Sequence, residues 1–138
     1  MKIHRNLPDS PYYIKSYQEL EEGRISLKLH GPSHDSNYSQ SFILHQDFLL
    51  ALPEVQDLSQ LNEAVIEKMA QRVPQILLIG TGKMQLMLQG ESLQKFRSFI
   101  DKQIGIEIMK TEAAAKTYNI LAQEGRDVMA ILLLGPSS

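Results

Sequence analysis

Four consecutive apolar residues, Ile76-Leu77-Leu78-Ile79, run straight into Gly80-Thr81-Gly82, and this junction constrains the fold more than any other stretch. A strand that is apolar on successive positions has both faces covered, as an interior strand does. Downstream, Ile106-Glu107-Ile108-Met109 and Val128 to Leu134 read as two more strands. The helices that join them are expected to start at Ser92 and at Thr111 and to end before Gly105 and Gly125. In the first of these, Leu93, Phe96, Phe99 and Ile100 are expected to face inward. Glu112 sits in the first turn of the second, where the helix dipole favours a negative charge. Crossovers of this length suit parallel pairing. Val128 to Leu134 is the longest apolar run in the chain and belongs at the centre of the sheet.

Upstream the pattern changes. Tyr12 to Gln18 and Arg24 to Leu29 read as strands, the second alternating Ile25, Leu27 and Leu29 with polar residues. Glu21-Glu22-Gly23 is the turn between them, with Gly23 able to take positive φ. Gly31 to Asn37 is a loop by composition, and Tyr38 to Leu44 a further strand. From Leu58 to Arg72 the apolar residues Leu58, Leu61, Val65 and Met69 fall on one helical stripe, with Ser59 as its cap. Pro74 ends that helix and restricts Val73 towards extended geometry.

Composition narrows the function. The chain has 138 residues, a formal net charge of −2, 43% hydrophobic and 22% charged residues. That is the balance of a folded globular protein, with no concentrated basic surface for nucleic acid. No cysteine is present, so thiolate chemistry, disulfides and Cys-based metal sites are excluded. No apolar run approaches the roughly 20 residues that cross a bilayer, and Met1 to Pro8 lacks a secretory signal's apolar core. The expectation is a cytoplasmic protein with no nucleic-acid partner and no membrane insertion.

The candidate site residues are Gly80, Thr81, Gly82, Thr111, Thr117 and Asn119. Two glycines at the carboxyl end of a strand allow close backbone approach to a ligand, and Thr81 adds a hydroxyl. A sharp turn explains the same residues, and the invariant lysine of a phosphate loop is missing. The helix start at Thr111 offers free N–H groups at Glu112, Ala113 and Ala114 to an anion, unless Glu112 itself fills that role. Asn119 is unfavourable inside a helix. It either faces solvent or bonds to a neighbouring loop such as Gly80-Thr81-Gly82. Tyr118 reads as core, and Met84 and Met87 as adaptable core or pocket wall. Arg126 would pair with Glu107 or Glu124. His30, His34 and Asp35 are the only hint of a metal, but Gly31-Pro32 prevents the helix that would align the two histidines. His4 and His45 have no nucleophile near them in sequence. No metal and no cofactor is expected.

Ile79-Gly80-Thr81-Gly82, Ile106-Glu107-Ile108-Met109, and Thr111 to Leu121 followed by Glu124-Gly125-Arg126, in this order and spacing, resemble a known domain family. It is the family of the mitochondrial complex I (NADH dehydrogenase) assembly factor three, an adipogenesis-associated protein and many small bacterial proteins. Tyr17, Ser41 and the Tyr38–Leu44 strand extend the resemblance towards the N-terminus. It implies a single three-layer α/β domain over residues 1–138, with a mixed central β-sheet flanked by helices and an N-terminal β-hairpin layer. Residues 1–11 and 135–138 would be flexible ends. It implies no established enzymatic activity; the mitochondrial branch acts through protein partners, a role that would carry over to this chain only with a matching partner. The chain departs from the family pattern at Glu112, at Ala115-Lys116 and at Lys83 to Leu88, all beside the supposed pocket. The leading reading is therefore a non-enzymatic binding or assembly-factor-like module. The alternative is a binder of an anion or polar metabolite, or an enzyme, built on the Gly80–Gly82 loop and the Thr111 helix start.

Overall fold

A computed structural model describes residues 11–135. The expected flexible ends and His4 therefore fall almost wholly outside the described residues. Among the described residues, eight strands form two sheets. Strands β1 (Tyr13–Glu19), β2 (Ile25–His30) and β3 (Asp35–Tyr38) make an antiparallel three-stranded sheet in sequence order. Strands β4 (Phe42–His45), β5 (Phe48–Ala51), β6 (Ile76–Gly80), β7 (Gly105–Met109) and β8 (Val128–Leu132) make a mixed sheet ordered β5-β4-β8-β6-β7. The β6 strand runs parallel to both β7 and β8, and β8 lies at the centre, as the apolar pattern predicts. Four α-helices lie among the described residues: α1 (Glu63–Ala70), α2 (Glu91–Gln94), α3 (Arg97–Asp101) and α4 (Thr111–Gln123).

The five-stranded sheet separates two apolar clusters. Leu77, Ile79, Met129, Ile131 and Ile43 point to one side and pack with Ile66 and Met69 of α1 and with Phe96 and Phe99. Leu78, Ala130, Leu132, Phe42 and Leu44 point to the other and meet Ala114 and Tyr118 of α4 and Ile25, Leu27 and Leu29 of β2. Alternate residues of one continuous apolar strand thus serve opposite layers, and each large side chain buried this way is worth about 1.5–3 kcal/mol. Helices, mixed sheet, then α4 with the three-stranded sheet give the three layers.

Local expectations fail where a polar residue or the chain's path overrides periodicity. The segment from Tyr38 to Leu44 is not one strand. Asp35–Tyr38 pairs with β2, taking part of the expected loop, and the chain then crosses to the other sheet. Ser41 pins the crossing, its Oγ accepting from Leu134 N (3.0 Å) and its carbonyl from Leu52 N (2.8 Å). The β5 strand was not expected at all. The Leu58–Arg72 helix breaks in two because Asn62 is the stronger cap. Its Oδ1 accepts from Ala64 N (2.7 Å) and Val65 N (3.4 Å), so α1 starts there and not at Ser59. Val73 is not extended but left-handed (φ 48°). The Ser92 helix is likewise interrupted at Phe96. Phe96 and Phe99 are buried, but Leu93 and Ile100 are 40% and 42% exposed, which corrects their inward assignment. Gln103 (φ 62°), not Gly105, takes the left-handed turn before β7.

Gly80 ends β6 where the start of α4 crosses it. A Cβ there would lie 2.8 Å from Thr111 Cα and 2.9 Å from its Oγ1. Since that neighbour is backbone in a packed helix, Gly80→Ala is expected to destabilise by about 1–3 kcal/mol in urea unfolding.

Candidate functional site

Thr111 joins three segments. It is the first residue of α4, not its cap, since Lys110 occupies the cap position without a side-chain bond. The Thr111 hydroxyl donates to Leu133 O (2.8 Å) beyond β8 and accepts from Gly82 N (2.8 Å) beyond β6. Thr111 N donates back to Gly82 O (2.9 Å), and Leu133 N donates to Gly80 O (3.0 Å). Thr81, 1% exposed, donates from its backbone to Met109 O (3.0 Å). Its hydroxyl donates to Met84 O (2.7 Å) and accepts from Leu86 N (3.1 Å), folding the 82–86 turn back onto β6. Gly80, Thr81, Gly82 and Thr111 therefore converge, with their hydrogen-bonding groups directed at one another. At the helix start, Thr111 N is committed to Gly82 and Ala114 N to Lys110 O (2.9 Å).

The other two site residues lie elsewhere. Thr117, half-buried, directs its hydroxyl to Met109 Sδ (3.6 Å). Asn119 does not reach the glycine loop. Its Oδ1 accepts from Ile14 N (2.9 Å) and its Nδ2 donates to Ile14 O (2.8 Å), so the side chain imitates a paired strand residue on the outer edge of β1. Beside it, burial pushes the Tyr17 phenol up to about 12, helped by the charges of Glu19 and Glu112.

One polar group has no signature in the linear sequence. Arg72 Nε donates to His45 Nδ1 (2.7 Å), and His45 Nε2 donates to Asp127 Oδ1 (2.6 Å). The Arg72 guanidinium also stacks 4.3 Å from the Phe48 ring centroid. His45 is 3% exposed, and the partners come from positions 27 and 82 residues away. An Asp–His pair can orient a nucleophile, but here the third member is a cation, so the group fastens the strand ends. Near β1, hydrogen bonds from Lys15 and His30 hold the Asp35 carboxyl below the usual carboxylate range. Arg126 is exposed and makes no ion pair with Glu107 or Glu124 among the described residues.

Four of the exposed large hydrophobic side chains among the described residues lie between Met84 and Ile100 in the chain. Met84 and Met87 are 63% and 71% exposed, so neither belongs to the core, though Met87 does line a surface depression. Leu93 and Ile100, with Leu88, Ile104, Ile106 and Ile108, line a groove of about 430 Å³. A second depression, about 290 Å³, lies between Met87 and Leu58. The groove runs along β7, the edge of the five-stranded sheet.

A family model described as a protein of unknown function (DUF498/DUF598) matches residues 18–133. The chain belongs to the DUF498 family. It is similar in structure to a protein from Xanthomonas campestris, with 32% identity, TM-score 0.70, and 98% of this chain and 93% of that one covered. A Bordetella pertussis protein described as a Mth938-like domain is 24% identical, with TM-score 0.68 over 100% and 95% of the two chains. The 13 kDa major membrane protein of Francisella tularensis is 25% identical over 134 residues, covering 96% of this chain and 99% of that one. In the present protein, no helix among the described residues is long and apolar enough to cross a membrane.

Removing the Thr111 hydroxyl leaves two buried backbone groups, Gly82 N–H and Leu133 C=O, without that partner. Thr111→Val is expected to cost about 2–4 kcal/mol in urea unfolding, while Thr111→Ser, which keeps the hydroxyl, costs less than about 1 kcal/mol. For Tyr17 the sign runs towards alkaline loss. The folded state favours the neutral phenol, so its contribution is intact below the unfolded value of about 10 and declines as pH rises towards 12. Tyr17→Phe should flatten this part of the stability–pH curve.

Proposed function

We propose that this protein is a non-enzymatic, cytoplasmic binding module of the assembly-factor type, engaging a protein partner through the apolar surface between Met84 and Ile108. One observation carries the reading. Of the seven large hydrophobic side chains exposed among the described residues, Met84, Met87, Leu93 and Ile100 fall within this one stretch of chain, and Leu93 and Ile100 line an apolar groove. A concentration of exposed apolar side chains around a groove marks interaction sites more often than it marks neglect. Methionines suit such a surface because their unbranched side chains adapt to a partner's shape. The ligand-binding alternative at Gly80–Gly82 has weaker support, since Gly82 N and the Thr111 hydroxyl already bond to each other.

Affinity capture from the native host tests this. The wild-type chain is expected to retain a reproducible protein partner, and the double variant Leu93→Glu, Ile100→Glu to lose it. Ile120→Glu, which charges an exposed apolar residue on α4, should retain it. Absence of any reproducible partner, or capture indifferent to the groove variant, would count against the reading.

A further inference from the structure

The reading above names a surface but not how a partner would be held there, and the open edge of β7 supplies that. Gly105 N donates to Gln75 O and Thr81 N donates to Met109 O, so Gly105, Glu107 and Met109 turn their backbone towards β6. In a strand the intervening residues must turn theirs the other way. The N–H and C=O groups of Ile106 and Ile108 accordingly face outward, with no hydrogen-bond partner among the described residues. The contrast is β1, whose outer edge at Ile14 is occupied by the Asn119 side chain. On β7 the Ile106 and Ile108 side chains line the groove, while Glu107 is exposed on the opposite face without an ion-pair partner among the described residues.

We propose that β7 accepts an extended segment of a partner protein as a sixth strand, with apolar side chains at alternate positions and a lysine or arginine between them. The inference rests on the functional reading above. Residues two apart on a strand lie about 6.6–6.8 Å from each other on one face, so two partner side chains would enter the groove beside Ile106 and Ile108. The residue between them would stand opposite Glu107, where an opposite charge stabilises and a like charge repels.

The same geometry disfavours a second copy of this chain. Antiparallel self-pairing that joins Ile106 to Ile108 of each copy places Glu107 directly against its own counterpart. Sliding the register brings in Ile104, whose N–H is given to Phe99 O, or Lys110, whose carbonyl accepts from Ala114. Glu107 thus acts as an edge charge against self-association and as a selector for a basic partner strand.

Two capped pentapeptides, Thr-Ile-Lys-Ile-Thr and Thr-Ile-Glu-Ile-Thr, titrated into the isotope-labelled full chain, provide the test by amide NMR. The lysine peptide is expected to shift the amides of Ile106 and Ile108 most, and to bind about fivefold more tightly than the glutamate peptide. Glu107→Lys changes an exposed side chain only and should invert that preference. Failure of both peptides at millimolar concentration to perturb β7 would overturn the proposal. So would a preference untouched by Glu107→Lys, or a wild-type dimer through β7 that Glu107→Gln tightens. If the peptides fail while Leu93→Glu, Ile100→Glu still abolishes partner capture, strand addition falls and the binding-module reading stands. If capture is also indifferent, both fall.

Discussion

The hydroxyl of Thr111 is the joint on which the carboxyl end of the sheet depends. Parallel strands leave their ends to be organised by whatever follows them, because the ladder itself supplies no partner beyond the last residue. Here the segments following β6 and β8 and the start of α4 are all addressed by one side chain, which donates to Leu133 and accepts from Gly82. A single buried hydroxyl can do this because it has one donor and two lone pairs. The close crossing also explains why Gly80 carries no side chain: α4 sits where a Cβ would be. The arrangement gives α4 its position over Leu78, Ala130 and Leu132, and so closes the second apolar cluster.

That joint accounts for the difference between what a glycine-rich strand end suggests and what this one does. Paired glycines and a helix start are the ingredients of an anion cradle when their N–H groups point into open space. Here the Gly82 N–H points at Thr111, and Thr81 spends its hydroxyl on Met84 and Leu86. The consequence is outward. Folding the 82–86 turn onto β6 leaves Met84 and Met87 exposed. A structural hydrogen-bond network on the inside thereby shapes the apolar surface on the outside.

How much of this was legible in the residues follows from which forces are local. The central position of β8, the parallel β6–β7 pairing and the burial of Ile25, Leu27 and Leu29 could be read directly, because burial repeats with the period of the strand. The convergence of Gly80, Gly82 and Thr111 followed from topology once the crossover was read. Boundaries were lost where one polar side chain outweighed periodicity, as when Asn62 displaced Ser59 as cap, or where the chain changed sheets at Ser41. Leu93 and Ile100 fit a helical stripe, yet the break at Phe96 turned them to solvent. The Arg72–His45–Asp127 group lay beyond reach for a different reason. Its members are brought together only by tertiary structure, and none carries a neighbour that would flag it.

Asn119 and Glu107 show the two ways this fold treats a strand edge. An unpaired edge is a template for further strands, and proteins blunt it by covering it or by charging it. On β1 the cover is complete at Ile14: an amide that is costly inside a helix is retained because it supplies both the donor and the acceptor the strand lacks. On β7 the neighbouring α3 packs against one face without capping the outward groups of Ile106 and Ile108, and the single charge stands on the other face. A charge repels copies of itself but does not satisfy a backbone. The difference is physical: the edge facing α4 has its hydrogen bonds at Ile14 made within the chain, whereas the β7 edge leaves the outward groups of Ile106 and Ile108 without a partner among the described residues.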